Sequence, residues 1–445
     1  INHHETVIAA HPRRPTLLAC SMLGDTRDRA VNTVAYRSND GGATWALASI
    51  ADEHFADDPS CAYGPDGTAY FVTKTNTGVG MVRGASSDTD SLHIRRSRDG
   101  GTTWDPVLHS IHANDRPWIA IDTTRGARRG TLYVTFDDHV HGENGRHGND
   151  DFRHLLVLAA SRDQGRTFPV AAARALLDQR GDTGSASLAA GVVVLSNGTT
   201  VVLQHHLLLG ANNTGTGKLR ELGGWLQVFV SPDGGHSLQQ AAKIADVSSG
   251  YNLAASRGVT GTIAADPGSA RFRDRLYVAW TDFSSGRGII RFTSSQDEGR
   301  TWSAPTALGE DRTASEPNGS PDNYMPTLAV NRDGVVGISW HDRRARPGNA
   351  AYDVRFAASM DGGETWLASV AVSTAPNDEQ QQRKGASTGR PSPDVPGWRP
   401  AEGTFLASGG DTAGLAADAE GRFHALWIDN RTGVQQVWTA PITIR

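Results

Sequence analysis

The sequence predicts an all-β protein built as a closed ring of seven four-stranded antiparallel units, a seven-bladed β-propeller; a ring of six blades is the alternative. Three observations support this prediction: an eight-residue phrase occurs six times, its copies are almost evenly spaced, and another set of strand-like segments follows residue 410. A fixed period of this kind indicates one supersecondary unit stacked on copies of itself.

The phrase has the form S-x-D-x-G-x-T-W, and its six copies begin at Ser38, Ser97, Ser161, Ser231, Ser295 and Ser359. The intervals between them are 59, 64, 70, 64 and 64 residues. Helical repeats mostly have shorter periods of about 33 to 47 residues. Within the phrase, Asp accepts hydrogen bonds from nearby backbone N–H groups and Gly tolerates positive φ. The closing Thr-Trp begins the next strand, so we expect a hairpin turn with an aromatic anchor and a structural role.

Each unit divides into four short strands, with the phrase between the third and the fourth. In unit six these segments are NYMPTLAVN, VVGISWHD, AAYDVRFAA and WLASVAVS, and the seventh unit offers TAGLAADAEG, RFHALWIDN and GVQQVWTAPI. Alternation and β-branched or aromatic residues favour strands, and closing the ring removes free strand edges. We therefore predict a single domain over residues 1–445. Residues 376–402, polar and rich in Pro and Gly, form a long loop insertion between blades six and seven.

Composition excludes several partners. The net charge is −5 and no block of Lys or Arg stands out, which argues against nucleic acid. No apolar run reaches about 18 residues, so we expect no membrane span. Only Cys20 and Cys61 are present, too few for a metal cluster with Cys ligands. These two cysteines form either a disulfide or a pair of buried thiols.

Strand direction predicts which end of the ring holds a binding site. The phrases share one face with the turns between first and second strands, so the longer polar loops lie on the opposite face, where binding groups concentrate. Ends of second strands and starts of first strands supply acidic, His and Arg side chains to that face in most blades. They are His3, His4, Glu5, Asp25, Arg27, Asp57, Asp58, Lys74, Asn114, Asp115, Arg116, Asp137, Asp138, His139, His141, Asp182, Gln204, His205, His206, Arg257, Asp282, Asp322, Tyr324, His341, Asp342, Arg343, Arg344, Asp411, Asp429 and Arg431.

A W-x-D motif recurs in three blades and ends at Asp282, Asp342 and Asp429. We expect each of these carboxylates to cap neighbouring backbone amides. Residues that break the repeat are the better candidates for chemistry. The H-x-H and H-H pairs at His139 and His205 leave metal ligation open.

The phrase resembles the Asp-box, or BNR repeat, of the sialidase superfamily of β-propellers, with six matches over residues 38–366. The resemblance implies a sialidase-like glycoside hydrolase that acts on an acidic glycan in a central funnel. In that family arginines hold the sugar carboxylate, a tyrosine is the nucleophile and an aspartate is the acid/base. By resemblance Tyr324 becomes the candidate nucleophile and Asp57, Asp58 or Asp115 the candidate acid, joined by two histidines of the repeat-breaking set. The full candidate set is catalytic Tyr324, His139, His205 and Asp115, with substrate-binding Arg116, Arg257, Arg343, Arg431 and His341.

Two other functions stay open. Several families of uronic-acid polysaccharide lyases resemble this superfamily and have seven blades, and their β-elimination needs a carboxylate neutraliser and a Tyr or His base. His139, His205, Tyr324 and Arg257 would serve that reaction. A non-catalytic glycan-binding propeller is the third reading.

The same resemblance implies an exported protein, secreted, periplasmic or on the cell surface. We expect a monomer that requires no cofactor, with a structural Ca²⁺ or other divalent cation left open.

Overall fold

The computed structural model describes residues 2–24, 31–50, 56–76, 90–113, 115–141, 152–169, 173–176, 184–211, 219–248, 261–309, 322–344, 351–378 and 409–444. All regular structure in these ranges is β-strand, arranged as seven antiparallel sheets in chain order. No helix long and apolar enough to cross a membrane occurs in them.

The first four sheets have four strands each. Blade one comprises β1 (Asn2–Ala10), β2 (Leu17–Gly24), β3 (Val31–Ser38) and β4 (Ala46–Ile50). Blade two comprises β5 (Ala56–Tyr63), β6 (Ala69–Asn76), β7 (Asp90–Ser97) and β8 (His109–His112). Blade three comprises β9 (Asp115–Ile121), β10 (Leu132–His141), β11 (Phe152–Ser161) and β12 (Ala173–Leu176). Blade four comprises β13 (Gly184–Val194), β14 (Thr200–Ala211), β15 (Leu219–Ser231) and β16 (Gln239–Asp246).

The last three sheets differ in strand number. Blade five comprises β17 (Thr262–Ala265), β18 (Leu276–Asp282), β19 (Ile289–Ser295) and β20 (Thr306–Leu308). Blade six comprises β21 (Asn323–Val330), β22 (Val336–Asp342), β23 (Ala351–Ser359) and β24 (Val370–Ala371), with β25 (Asn377–Asp378) also paired to β23. Blade seven comprises β26 (Gly414–Ala417), β27 (Phe423–Asp429) and β28 (Gln436–Ile442). The prediction of seven blades is confirmed and six is wrong, although blade seven shows three strands in the described residues.

Burial follows the position of a strand in its blade. All seven residues of β18, β22 and β27 are buried, because a second strand is covered by neighbouring blades on both faces. The outer strand β4 is mostly exposed or half-buried. Apolar clusters occupy every junction between consecutive blades, including the one between blades seven and one. The ring is therefore held by burial of apolar surface all the way round.

Backbone hydrogen bonds close the ring by joining blade one to blade seven and to the segment that leads into blade seven. The N–H of Glu5 donates to the carbonyl of Gly409 at 2.7 Å, and the N–H of His3 donates to that of Gln435 at 3.0 Å. The first strands of consecutive blades contact one another in turn, so they form the innermost layer.

The six phrases connect the third and fourth strands of blades one to six, as predicted, and thus share one face. In the first copy, Asp40 accepts from the N–H of Thr44 at 2.9 Å, and Ser38 Oγ accepts from the N–H of Gly42 at 2.8 Å. The indole of Trp45 donates to the carbonyl of Gly42 at 3.1 Å. Gly42 has a φ of 87°, a conformation that favours glycine. The carboxylate is thus fully used inside its own turn, which is a structural role.

The two cysteines are both buried and free, and both belong to the apolar cluster between blades one and two. Burial, together with the neighbouring Cys61, raises the pKa of the Cys20 thiol. Of the two states left open by the sequence, the structure shows buried thiols.

Candidate active site

Four first strands carry the same irregularity on the face opposite the phrases: in blade six it lies at Met325, with φ 56°, and in the other three it lies at a charged residue. In those three the pairing with the second strand slips by a residue, next to Glu5 in β1, Asp58 in β5 and Arg116 in β9. These three residues have positive φ, at 47°, 44° and 51°. This left-handed backbone is costly for a residue with a Cβ, and such strain clusters at functional sites. A bulge re-aims side chains, and here it helps to gather charged groups from three blades at the inner end of the ring.

Lys74, at the end of β6, is the centre of this group. Its Nζ lies 3.5 Å from Asp115 Oδ1, 3.6 Å from Asp57 Oδ2 and 4.0 Å from Asp58 Oδ2. The lysine side chain is 16% exposed, whereas the three carboxylates are 20% to 37% exposed. Although burial lowers it, the pKa of Lys74 is held well above its ordinary value by the three carboxylates. The ammonium therefore stays charged, with carboxylates that a ligand can reach.

The carboxyl groups around Lys74 differ in protonation. Burial raises the pKa of Glu5 well above its ordinary value, and Asp58 raises it further by charge and by a hydrogen bond. Burial works against ionisation of Asp58 too, but Lys74 and hydrogen bonds from Asp115 and Glu5 lower its pKa overall. The backbone N–H of Arg116 adds a long contact of 3.5 Å to Asp58 Oδ2. Asp58 is thus the ionised member, and Glu5 holds a proton against it.

Two further carboxyls titrate near neutrality. Burial raises the pKa of Asp57 to about 7, with Lys74 opposing the shift and Asp58 adding to it. Burial likewise raises the pKa of Asp115 to about 6, again against Lys74. When their environments push the pKa values of two neighbouring carboxyl groups apart, the group with the higher pKa can donate a proton and the other acts in its ionised form. The arrangement can therefore perform acid/base chemistry near neutral pH.

Arg116 connects this group of side chains to the segment that enters blade seven. Its guanidinium forms an ion pair with Asp411, which precedes β26 and is 2% exposed. We call Glu5, Asp57, Asp58, Lys74, Asp115, Arg116 and Asp411 the axial cluster. Its members come from blades one, two and three and from the segment that enters blade seven.

The predicted tyrosine lies elsewhere, between blades six and seven. Tyr324 is fully buried, and its hydroxyl accepts from Arg343 Nη2 at 3.3 Å. His341 contacts it edge-on at 5.2 Å between ring centroids and stacks on Tyr352 at 4.1 Å. The structure brings Tyr324, His341 and Arg343 together, as a packed group in the apolar cluster between these blades. A nucleophilic role for Tyr324 stays a prediction.

The remaining predicted residues divide into three kinds. His205 is 1% exposed in β14, and its role stays a prediction. The backbone of His139 pairs with that of His154 in blade three, whereas Arg257 lies outside the described residues. Arg431 donates to Asp429, to Thr374 Oγ1 at 2.7 Å and to the carbonyl of Ala375 at 3.3 Å. These bonds tie blade seven to the root of the predicted 376–402 loop, of which all but the first three residues lie outside the described part.

The W-x-D carboxylates cap backbone amides, as predicted. Asp342 accepts from the N–H of Arg344 at 2.9 Å, Asp429 from that of Arg431 at 2.8 Å, and Asp282 from that of Ser284 at 3.1 Å. In the residues that the structure describes, no group of three His, Cys, Asp or Glu side chains is arranged to hold a metal ion.

Sequence reasoning placed every member of the axial cluster on the correct face but put most of them outside its preferred set. It favoured residues that break the repeat, whereas Glu5, Asp57, Asp58 and Asp411 occupy repeat-like positions. One signal in the sequence could have indicated this cluster: Lys74 lies at the end of a second strand on the face where acidic residues such as Asp57 and Asp115 begin first strands. The bulges that bring them together have no mark in the sequence.

Comparison with known proteins supports the fold. Neither a protein-family model nor a curated protein matches the chain. A protein of unknown function from Dyadobacter fermentans is 15% identical with a TM-score of 0.50, over 80% of this chain and 94% of that one. The intramolecular trans-sialidase from Ruminococcus gnavus is 13% identical with a TM-score of 0.44, over 98% and 94%. An alpha-L-arabinofuranosidase from Fusarium graminearum is 13% identical with a TM-score of 0.46, over 81% and 97%. At such identities the likeness extends to the fold alone.

Proposed function

We propose that this chain is a glycoside hydrolase whose reaction takes place at the axial cluster, on a neutral glycan. One observation supports this most directly: Asp57 and Asp58 lie within 4.0 Å of the same Lys74 nitrogen, yet their pKa values move in opposite directions. Glycoside hydrolysis needs such a pair, one carboxylic acid to protonate the leaving oxygen and one carboxylate opposite it.

The roles follow from protonation. Asp57, with a pKa of about 7, keeps its proton on a large fraction of molecules at neutral pH and is the general acid. Asp58 is ionised and serves as the nucleophile or as the base that activates water. Glu5 and Lys74 are positioning residues that hold Asp58 in this state. Asp115, the most exposed of the carboxylates, contacts the sugar or relays a proton.

The charge of the site favours a neutral substrate. Two of the arginines assigned to an acidic sugar are already paired, Arg116 with Asp411 and Arg431 with Asp429. A sugar carboxylate beside Asp57, Asp58 and Asp115 would meet like charges. An acidic glycan as substrate, and the uronate lyase reaction with it, would therefore depend on Arg343, on Arg257 and on the histidines. Arg343 donates to the hydroxyl of the buried Tyr324, and Arg257 lies outside the described residues. Export likewise stays a prediction.

The first experiment is a substrate panel for the wild-type chain. Nitrophenyl glycosides of neutral sugars and of sialic acid, arabinan, and uronate polysaccharides are incubated with it. Nitrophenolate, reducing ends and the absorbance of unsaturated uronates are recorded. Hydrolysis of a neutral glycoside supports the proposal, whereas uronate absorbance assigns a lyase and binding without turnover assigns a glycan-binding propeller.

Variants then locate the reaction. We expect Asp58→Asn to reduce kcat by at least about 100-fold, because acid/base and nucleophilic groups contribute about 10² to 10⁴. Asp246→Asn is the matched control, since that carboxylate is 81% exposed on β16. Tyr324→Phe keeps turnover if the axial cluster is the active site. Loss of turnover in Tyr324→Phe, with Asp58→Asn unaffected, would move the reaction to the blade six–seven group.

A further inference from the structure

A second polar cavity lies on the face that carries the phrases, at the junction of blades one and two. It has a volume of about 150 Å³ and is lined by His11, Arg13, Arg14, Asp66, Gly67, Arg98, Asp99 and Gly100. These residues come from the β1–β2 turn, the β5–β6 turn and the phrase of blade two. The cavity is separate from the axial cluster, which lies at the opposite face.

Three solvent-exposed guanidinium groups line this cavity. In the ranges that the structure describes, Arg13, Arg14 and Arg98 make no side-chain hydrogen bond and no ion pair within 4.0 Å. Asp99 is occupied by its own turn, where it accepts from the N–H of Thr103 at 2.8 Å. Asp66 accepts from the N–H of Thr68 at 2.9 Å through one oxygen. The carboxylates of the cavity therefore do not neutralise the arginines by direct contact.

Equivalent junctions elsewhere in the ring show what an arginine of this turn normally does. Arg128 of blade three donates to the carbonyls of Gly198, at 3.2 Å, and of Pro232, at 2.7 Å, in blade four. Arg332 of blade six donates to the carbonyl of Ala419 at 2.7 Å. In these places the guanidinium fills the junction by bonding to the next blade.

The blade one–two junction departs from this pattern in two ways. The carbonyl of Gly100 already accepts from the Tyr63 hydroxyl at 3.0 Å, whereas its counterpart Gly362 accepts from Arg275 at 2.8 Å. The phrase of blade two also brings in Arg98, where blade four has Pro232. More guanidinium groups thus converge here while one carbonyl that would receive them is taken. An anion bound among these guanidinium groups would accept charge-assisted hydrogen bonds from them.

We propose that this cavity binds a tetrahedral oxyanion, a phosphate or sulfate group. Each guanidinium offers five donors in a fixed fork, a geometry that suits the several oxygens of a phosphate or sulfate group. The volume is suited to a single such group. His11 completes the lining: it is 4% exposed, and its Nδ1 accepts from the N–H of Arg13 at 3.1 Å. Burial, with Arg14 and Arg13, lowers the pKa of His11, so an anion bound beside it would raise that pKa.

The test is calorimetric titration of the full chain with inorganic phosphate and with sulfate, at constant ionic strength in chloride and with acetate as the carboxylate reference. We expect phosphate or sulfate to bind and acetate not to, and the tighter of the two identifies the group. Arg98→Ala and Arg13→Ala each weaken binding by about tenfold, the loss of one charge-assisted hydrogen bond. Arg162→Ala is the matched control, because it removes the same charge at the same position of the blade three phrase.

A second readout distinguishes binding from altered folding. In ¹⁵N-histidine spectra, the bound oxyanion raises the pKa of His11 in the wild type and in Arg162→Ala, and not in Arg98→Ala. Equal affinity for chloride, acetate and the oxyanions, or equal weakening by Arg162→Ala, overturns the proposal. Neither readout depends on glycoside hydrolysis.

Discussion

Arg116 and Asp411 form an ion pair between blade three and the segment entering blade seven, which are not neighbours in the ring. The pair therefore spans the inner end of the propeller past blades one and two. Asp411 is 2% exposed, so the arginine compensates a carboxylate that has lost its water.

Removing both partners should cost less than the two single removals added together. We expect Arg116→Ala to lower the free energy of unfolding by about 3 kcal/mol, because it removes the cation paired with a buried carboxylate. The double variant Arg116→Ala/Asp411→Ala should be more stable than the sum of the single changes by at least about 1 kcal/mol. Denaturant unfolding of the four proteins measures this coupling. Additive losses would show that the pair does not couple the two blades.

Lys74 should govern the pH dependence of turnover. It lowers the pKa values of Asp57, Asp58 and Asp115, so Lys74→Met raises all three. Both limbs of the profile of kcat/KM against pH should move to higher pH, the acidic limb by about one unit or more. The limbs report macroscopic values of the whole cluster. Lys243→Met, an exposed lysine on β16, should leave the profile unchanged. An unmoved profile in Lys74→Met would separate the cluster from catalysis.

Asp57 should make the protein less stable as the solution becomes more alkaline. Its pKa is about 7 in the folded state against an ordinary value of 3.8, so the folded state holds a proton that the unfolded state releases. Folding stability then falls as pH rises from about 4 to about 7. We expect Asp57→Asn to raise Tm by about 2 °C at pH 8 and by nothing at pH 4. An Asp57→Asn protein with no advantage at pH 8 would contradict the raised pKa.

The phrase should contribute stability and not catalysis. Partial burial acts against ionisation of Asp361, but hydrogen bonds from Thr365 and Ser359 lower its pKa to about 2. Asp361→Ala removes these acceptors and should lower the free energy of unfolding by roughly 1 to 2 kcal/mol. Because the folded-state pKa is depressed, this contribution is present above about pH 4 and is lost as pH falls toward 2. Met360→Ala, an exposed change in the same turn, is the control. Loss of turnover at unchanged stability would assign the phrase to the site.

The fold could be predicted because the sequence features that specify it lie close together in the chain and recur in each blade. Each phrase fixes a turn through hydrogen bonds among its own residues, as Asp40 and Thr44 show, and its spacing counts the blades. Burial of second strands such as β22 on both faces produces the continuous apolar segments that marked them in the sequence.

For the site, only the face of the ring that carries it could be predicted from the sequence. Strand direction placed Lys74 and Asp115 there, but the bulges at Glu5, Asp58 and Arg116 depend on pairing with neighbouring strands, which one sequence does not display. Tyr324 was singled out as a residue that departs from the repeat. It departs because it fills the junction of blades six and seven beside Arg343.

Proton donation from Asp57 to the leaving group is tested most directly by varying the leaving group. The wild type and Asp57→Asn are compared on a native glycan and on the dinitrophenyl glycoside of the same sugar, whose leaving oxygen needs no proton. We expect Asp57→Asn to lose at least about 100-fold in kcat/KM on the glycan and less than about tenfold on the dinitrophenyl glycoside. Equal losses on both substrates, or none on either, would contradict this role of Asp57.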